Sequence, residues 1–150
     1  MRVHHVDREQ IVASPLAEAF DFFSRTSNLE RISPPWLSFG LLTPEPCDIG
    51  VGTRIEYRLR VHGIPLRWIS RIDEFAEKGW FVDRQIRGPY QLWHHRHEFA
   101  AVPGGTRVRD HVDYALPLGP LGELAHSAIV RRDLARIFDY RQIAVAHILS

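Results

Sequence analysis

The 150 residues predict an α+β fold: a curved antiparallel β-sheet wrapped around a long C-terminal helix, with two short helices after strand 1. Three observations predict it. Across 53–116 apolar and polar residues alternate with a period of two, broken only by short turn-like links, so successive strands must be antiparallel neighbours. After Pro117-Leu118-Gly119-Pro120 the apolar spacing becomes helical and stays so to about Ile148. Ahead of both regions stands one strand-like run, followed by apolar residues at helical spacing.

Each element has its own signal. Val3–Val12 reads as the first strand. Ser14-Pro15 supplies an N-cap and a proline at the first helical position, and Leu16, Ala19, Phe20 and Phe23 place a short amphipathic helix over about 15–24. Asn28 caps one or two further turns that Pro34-Pro35 must end. Trp36–Leu42 reads as a strand, and Thr43–Gly52, with two prolines and two glycines, as a loop. Thr53–Val61, Ile64–Phe75, Trp80–Arg87, Tyr90–Val102 and Thr106–Leu116 form a five-strand meander. The last helix, Leu121–Ile148, carries its apolar stripe on Leu124, Ala128, Leu134, Ile137, Phe138, Val145 and Ile148, and its wet side on Arg131, Arg132, Arg136 and Arg141.

Composition narrows the partners. At 150 residues one domain over 1–150 is expected. Net charge is +1, with 19 basic and 18 acidic residues well mixed, which disfavours nucleic acid. Cys47 alone makes no internal disulfide and no multi-cysteine metal site, and suits a reducing cytoplasm. Asp7, Arg8, Glu9 and Glu18 leave no signal-peptide apolar region, and no apolar run is long enough to span a bilayer. A cytoplasmic protein is the expectation.

Hairpin parity assigns the faces. Pairing Val61 with Ile64, Phe75 with Trp80 and Ala101 with Thr106 puts charge on one side of three strands: Arg54, Glu56, Arg58, Arg60; Arg67, Arg71, Asp73; Arg107, Arg109, His111, Asp113. The opposite face then carries Ile55, Tyr57, Leu59, Trp68, Ser70, Ile72, Phe81, Asp83, Gln85, Trp93, His95, His97, Phe99, Val108, Asp110, Val112 and Tyr114. This requires an odd number of residues in the link around Gly88-Pro89. It also turns Trp80, Val82 and Ile86 outward, where they suit a contact patch for a homodimer. His94 faces out, whereas His95 and His97 face in. Asp83, Gln85, His95, His97 and Asp110 on one apolar concave wall are too many for plain packing, because each unpaired buried charge costs several kcal/mol. Either they satisfy one another inside a solid core, or they face a cavity.

One strand, two short helices, a curved meander and a long last helix is the helix-grip arrangement. The stretches VDREQIVASPLAEAFDFFSRTSNLERISPP, RIDEF, FVDRQIRGPYQLWHHRHEF and GGTRVRDHVDYALPLGPLG resemble the START-like superfamily, also called SRPBCC or Bet v 1-like, across essentially the whole chain. The sequence is most similar to bacterial ligand-binding SRPBCC proteins of the polyketide cyclase/dehydrase type. It is also similar to the SRPBCC segment fused to some nucleoside-diphosphate-sugar epimerase-like proteins. The resemblance implies a cavity between sheet and last helix for a hydrophobic or amphipathic small molecule, such as a lipid, sterol or polyketide. It implies no universal catalytic motif.

Three functional readings follow. In a binding module, Tyr57, Trp68, Ile72, Phe81, Trp93, Phe99, Val112, Tyr114 and Phe138 supply apolar walls, while Ser70, Asp83, Gln85, His95, His97 and Asp110 orient a ligand's polar end. In a cyclase/aromatase-type enzyme, His97 opposite Asp110 and His95 beside Asp83 form two acid–base pairs. A metal site built on His95, His97 and either Asp83 or Asp110 is the weakest of the three, lacking a clear fourth ligand, so no metal and no cofactor is expected. His4, His5 and His147 are read as surface residues. Ile49-Gly50-Val51-Gly52 lacks the strand–helix setting of a phosphate loop and reads as a flexible rim.

Overall fold

The computed structural model describes residues 1–44 and 48–150, so the expectation for Cys47 lies outside the described residues. Strand β1 (His4–Val12) leads into helix α1 (Leu16–Ser24), a 3-10 turn (Thr26–Asn28), helix α2 (Leu29–Ile32) and a second 3-10 turn (Pro35–Leu37). Strands β2 (Gly40–Leu41), β3 (Arg54–Val61), β4 (Ile64–Ala76), β5 (Trp80–Arg87), β6 (Leu92–Val102) and β7 (Gly105–Ala115) follow. Helix α3 (Gly119–Ala125), a π-helical turn (His126–Val130) and helix α4 (Arg131–Ile148) end the chain. The sheet order is β1-β7-β6-β5-β4-β3-β2, antiparallel at every step, with β1 closing the meander against β7.

The region before β3 departs from the sequence reading, and Asn28 makes no side-chain cap for α2 but donates from Nδ2 to the Phe22 carbonyl. The stretch 36–42 is a 3-10 turn and only a two-residue strand, because Pro34-Pro35 starts a tight turn and Ser38 takes a left-handed conformation (φ 47°). Ser14 does not cap α1; its hydroxyl and its N–H both donate to the Leu149 carbonyl, tying the start of α1 to the end of α4.

The register explains the curvature. At the β4–β5 hairpin Ala76 pairs with Trp80 and Phe75 with Phe81, not Phe75 with Trp80, because the loop closes in three residues with Lys78 at φ 62°. Asp73 then bulges out of β4 and restores the expected pairs Ile72–Asp83 and Ser70–Gln85. A second bulge leaves Ile86 unpaired in β5, between the pairs Ser70–Gln85 and Ile69–Arg87. Each bulge adds twist and bends the strand, which makes one face concave. Beyond β5, Asp83 pairs with His95 and Phe81 with His97, a register whose link around Gly88-Pro89 has odd parity. Val82 does not serve an outward contact patch. It is fully buried between Glu74 and Arg96, and the Arg96 guanidinium lies over the Trp80 ring.

Two apolar clusters fill the concave side. One gathers Phe20 and Phe22 of α1 against Ile72, Phe81, Phe99 and Val145; the other gathers Trp68, Trp93, Val112 and Tyr114 against Leu134 and Phe138 of α4. Leu124, expected in the buried stripe, is 66% exposed. The π turn is the reason: it inserts one residue between α3 and α4, and each residue rotates the helix face by about 100°. No helix among the described residues is long and apolar enough to cross a membrane.

Candidate functional site

A cavity of about 910 Å³ lies between the concave sheet and the C-terminal helices. Tyr57, Trp68, Ile72, Phe81, Trp93 and Phe138 line it. Tyr57 stacks on Trp68 at 5.8 Å and Trp68 meets Trp93 edge-on at 5.2 Å, so the aromatic wall is braced by ring contacts from three strands. One end is closed, where Phe20 packs edge-on against Phe81 and Phe99. The mouth is marked by lining residues that remain exposed: Trp36 (50%), Leu118 (73%), Leu121 (64%) and Leu124. Across this rim His62, on the β3–β4 turn, meets Asp133 of α4 at 2.7 Å.

The polar part of the wall sits midway along β6. Asp83 from β5 and His95 and His97 from β6 line the cavity, with Ser70 of β4 and Arg141 of α4. His97 Nε2 is 2.6 Å from Asp83 Oδ2, and His95 Nε2 is 2.8 Å from Asp110 Oδ1. The sequence expectation paired them the other way, and those separations are 3.5 Å for His97–Asp110 and 3.9 Å for His95–Asp83. His97 does stand opposite Asp110 in the ladder. Directly opposed backbones, however, lie too close for an extended imidazole to meet the facing carboxylate, so the rings lean along the strands to diagonal partners. The two imidazoles stack at 3.7 Å, with 21° between their planes.

Burial and charge oppose each other at this cluster. Burial alone raises Asp110, but the Arg141 charge and the hydrogen bond and charge of His95 outweigh it and hold the carboxyl well below its usual range. Asp83 is likewise lowered against the effect of burial, chiefly by its hydrogen bond from His97. His97 is pushed down to about 4 by burial, reinforced by His95 and only partly offset by Asp83 and Asp110. It is therefore neutral at pH 7, and with Nε2 donating to Asp83 its Nδ1 is a buried acceptor with no hydrogen-bond partner. Tyr57 is raised well above its ordinary value, mainly by burial.

Several residues expected in the site lie elsewhere. Gln85 accepts from the Tyr90 N–H and donates to the Tyr90 carbonyl, so it fastens the β5–β6 link rather than facing the cavity. Phe99, Val112 and Tyr114 belong to the packed clusters behind the wall, and Asp110 lies behind the two histidines. Arg141, assigned to the wet side of the last helix, instead turns inward: its side chain is 13% exposed, with Nη2 3.4 Å from Asp110 Oδ1. Its spacing with Leu134, Phe138 and Val145 places it in the buried stripe, a signal present in the sequence. His4 is also not a surface residue. It stacks on His126 at 3.6 Å and meets Glu123 at 3.0 Å, while the Tyr114 hydroxyl and His126 Nε2 lie 2.7 Å apart.

The model of the polyketide cyclase/dehydrase and lipid transport family matches residues 12–138. The chain belongs to that family. Solved structures similar to it include a START superfamily protein from Mycobacterium smegmatis, at 13% identity and a TM-score of 0.71, with 97% of each chain covered. The Zhui aromatase/cyclase from Streptomyces is 16% identical with a TM-score of 0.69, over 98% of this chain and 96% of that one. A nucleoside-diphosphate sugar epimerase from Corynebacterium glutamicum is 21% identical with a TM-score of 0.63, over 95% of this chain but only 28% of its own. These likenesses place the fold among START-like, Bet v 1-like helix-grip proteins. No curated protein matches the chain.

Proposed function

We propose that the protein binds a small hydrophobic or amphipathic molecule, of lipid, sterol or polyketide type, in the cavity between the sheet and the C-terminal helix. The observation that carries this reading is an aromatic-walled space of about 910 Å³ with its polar groups gathered at one place on the wall. Tyr57, Trp68, Ile72, Phe81, Trp93 and Phe138 hold the apolar body, and Ser70, Asp83, His95 and His97 orient the polar end. At about 25 cal/mol per Å², burying roughly 300 Å² of apolar ligand surface contributes about 7 kcal/mol. Lost translational and rotational freedom offsets a large part of that, which leaves micromolar affinity. The family membership and the aromatase/cyclase-like fold also support a second reading, cyclisation or dehydration of the bound molecule.

A thermal-melt screen with fatty acids, sterols and aromatic polyketides tests the proposal, alongside native mass spectrometry of gently purified protein. A concentration-dependent upward shift for at least one class, abolished by filling the cavity with Ile72→Trp, is the expected result. No shift from any class at saturating concentration overturns it. An activated polyketide mimic with and without protein decides the second reading: identical product distributions exclude catalysis.

A further inference from the structure

We propose that Asp83, His95 and His97 form a binding site for a divalent transition-metal ion, opening onto the cavity. The site deepens the ligand-binding reading by placing a cation at the polar end of the same space. Asp83 on β5 and the two histidines on β6 each offer one ligand atom, and these atoms all lie within 4.8 Å of one another. Two imidazoles and one carboxylate are a ligand set that suits zinc, iron(II) and similar ions and leaves coordination positions open.

The distances are those of a site that needs only a small adjustment. Bonds of about 2.0–2.2 Å hold neighbouring ligand atoms roughly 3–3.6 Å apart. His97 Nε2 and Asp83 Oδ2 are 2.6 Å apart and must separate slightly; His95 Nδ1 and Asp83 Oδ2 are 3.9 Å apart and must close slightly. The stacked rings must also tilt, and the His97 proton must pass from Nε2 to Nδ1, which lies 3.5 Å from Asp110 Oδ1, so that the lone pairs converge.

The surroundings supply what such a site requires. A metal-bound histidine is oriented by donating its other N–H to a carboxylate, and His95 Nε2 lies 2.8 Å from Asp110 Oδ1. Asp110 is fixed in turn by Arg141. Two nearly buried carboxylates, Asp83 and Asp110, face a single guanidinium, so the cluster carries a surplus of negative charge where desolvation makes that costly. A divalent ion cancels it. All three ligand residues line the cavity, so the open positions point toward whatever occupies it.

Two other histidine–carboxylate groups among the described residues fit less well. In His4–Glu123–His126, Nε2 of His126 is engaged by the Tyr114 hydroxyl, and His5–His111–Asp113 lies at the surface. They serve as internal controls.

The test uses the full chain, purified without a histidine tag and stripped with a chelator, titrated with Zn²⁺ by calorimetry and with Co²⁺ by visible absorption. One ion per chain is expected, with cobalt bands of a low-coordinate nitrogen/oxygen site. Uptake is expected to be lost in His95→Ala and His97→Ala and kept in His4→Ala and His111→Ala. Asp110→Asn, which removes only the charge behind His95, should weaken it by about 10–100-fold. Circular dichroism separates misfolded variants from folded ones that lack the site. If the wild-type chain takes up no ion below millimolar concentration, the proposal fails whatever the variants do. Uptake unchanged in folded His95→Ala and His97→Ala, or lost only in His4→Ala or His111→Ala, also overturns it. If no ion is taken up but a ligand still shifts the melt in the presence of chelator, the binding reading stands and the metal site alone fails.

Discussion

Replacing Arg141 by methionine isolates the charge balance on which the polar wall rests. Methionine keeps most of the stem's volume and removes the guanidinium. The perturbation then falls on Asp110, whose side chain is 7% exposed and whose remaining close partner is His95 at 2.8 Å. Removing one member of a buried ion pair costs about 3–5 kcal/mol, because the surviving charge is left without compensation. The Arg141–Asp110 contact is 3.4 Å, long for a direct bond, and His95 keeps its own contact with the carboxylate. The lower end, about 3 kcal/mol, is therefore expected. For a chain of this length each kcal/mol shifts the melting temperature by about 2–4 °C, which gives a fall of roughly 6–12 °C. Urea unfolding at neutral pH in the presence of a chelator measures the change without interference from bound ions. Adding Asp110→Asn removes the stranded charge, so the double variant should recover about 2 kcal/mol relative to the additive expectation. A loss below about 1 kcal/mol in Arg141→Met, or a double variant whose loss equals the sum of the two single losses, would show that the guanidinium does not neutralise Asp110.

Three further outcomes are expected. Phe138→Ala, at a position 4% exposed between the aromatic wall and His95, should cost about 3–5 kcal/mol in urea unfolding; a cost under 1 kcal/mol would mean α4 does not close the cavity. His126 is held below its ordinary value by burial and by His4, with Glu123, Tyr114, Arg131 and Arg2 also facing it. The folded state therefore prefers it neutral, while the unfolded chain takes up the proton near 6.5. Its contribution should be constant above that pH and shrink as pH falls below it, narrowing the stability gap between wild type and His126→Gln; a gap unchanged down to about pH 5 refutes this. Gly122→Ala would place a Cβ 2.0 Å from the Pro117 carbonyl oxygen, so α3 must move away from the cavity rim. The variant should melt several degrees lower and exchange amides of 118–130 faster, and a wild-type melting curve would contradict that close approach.

The strand order and most of the register were legible because a half-buried strand must alternate, and a one-residue slip would expose the whole apolar set. That constraint carries even through the bulges. The Phe75–Trp80 expectation failed locally at Lys78, yet the Asp73 bulge returned Ile72 to Asp83 and kept Asp83 on the concave face with His95. The same logic could not say which carboxylate each imidazole meets. Parity fixes faces, whereas side-chain lean along the strand decides contacts, and here the lean exchanged both pairs.

The last helix departs from its sequence pattern for a different reason. A stripe drawn at a constant 3.6-residue period assumes an unbroken helix, and nothing in His126–Val130 announces a π turn. The extra residue sets Leu118, Leu121 and Leu124 at the mouth and leaves α4 to aim its own stripe inward. Charge alone argues for exposure at Arg141, whereas its spacing from Leu134 and Phe138 points it inward, and the spacing prevails. A cation carried into the buried stripe of the closing helix makes sense only if the sheet opposite holds anionic charge at the same level. Asp110 and Asp83 are that charge. The polar wall and the last helix are therefore matched to each other: removing Arg141 should disturb the histidine cluster as well as the fold, whereas a purely packed interior would register the same substitution as a loss of stability alone.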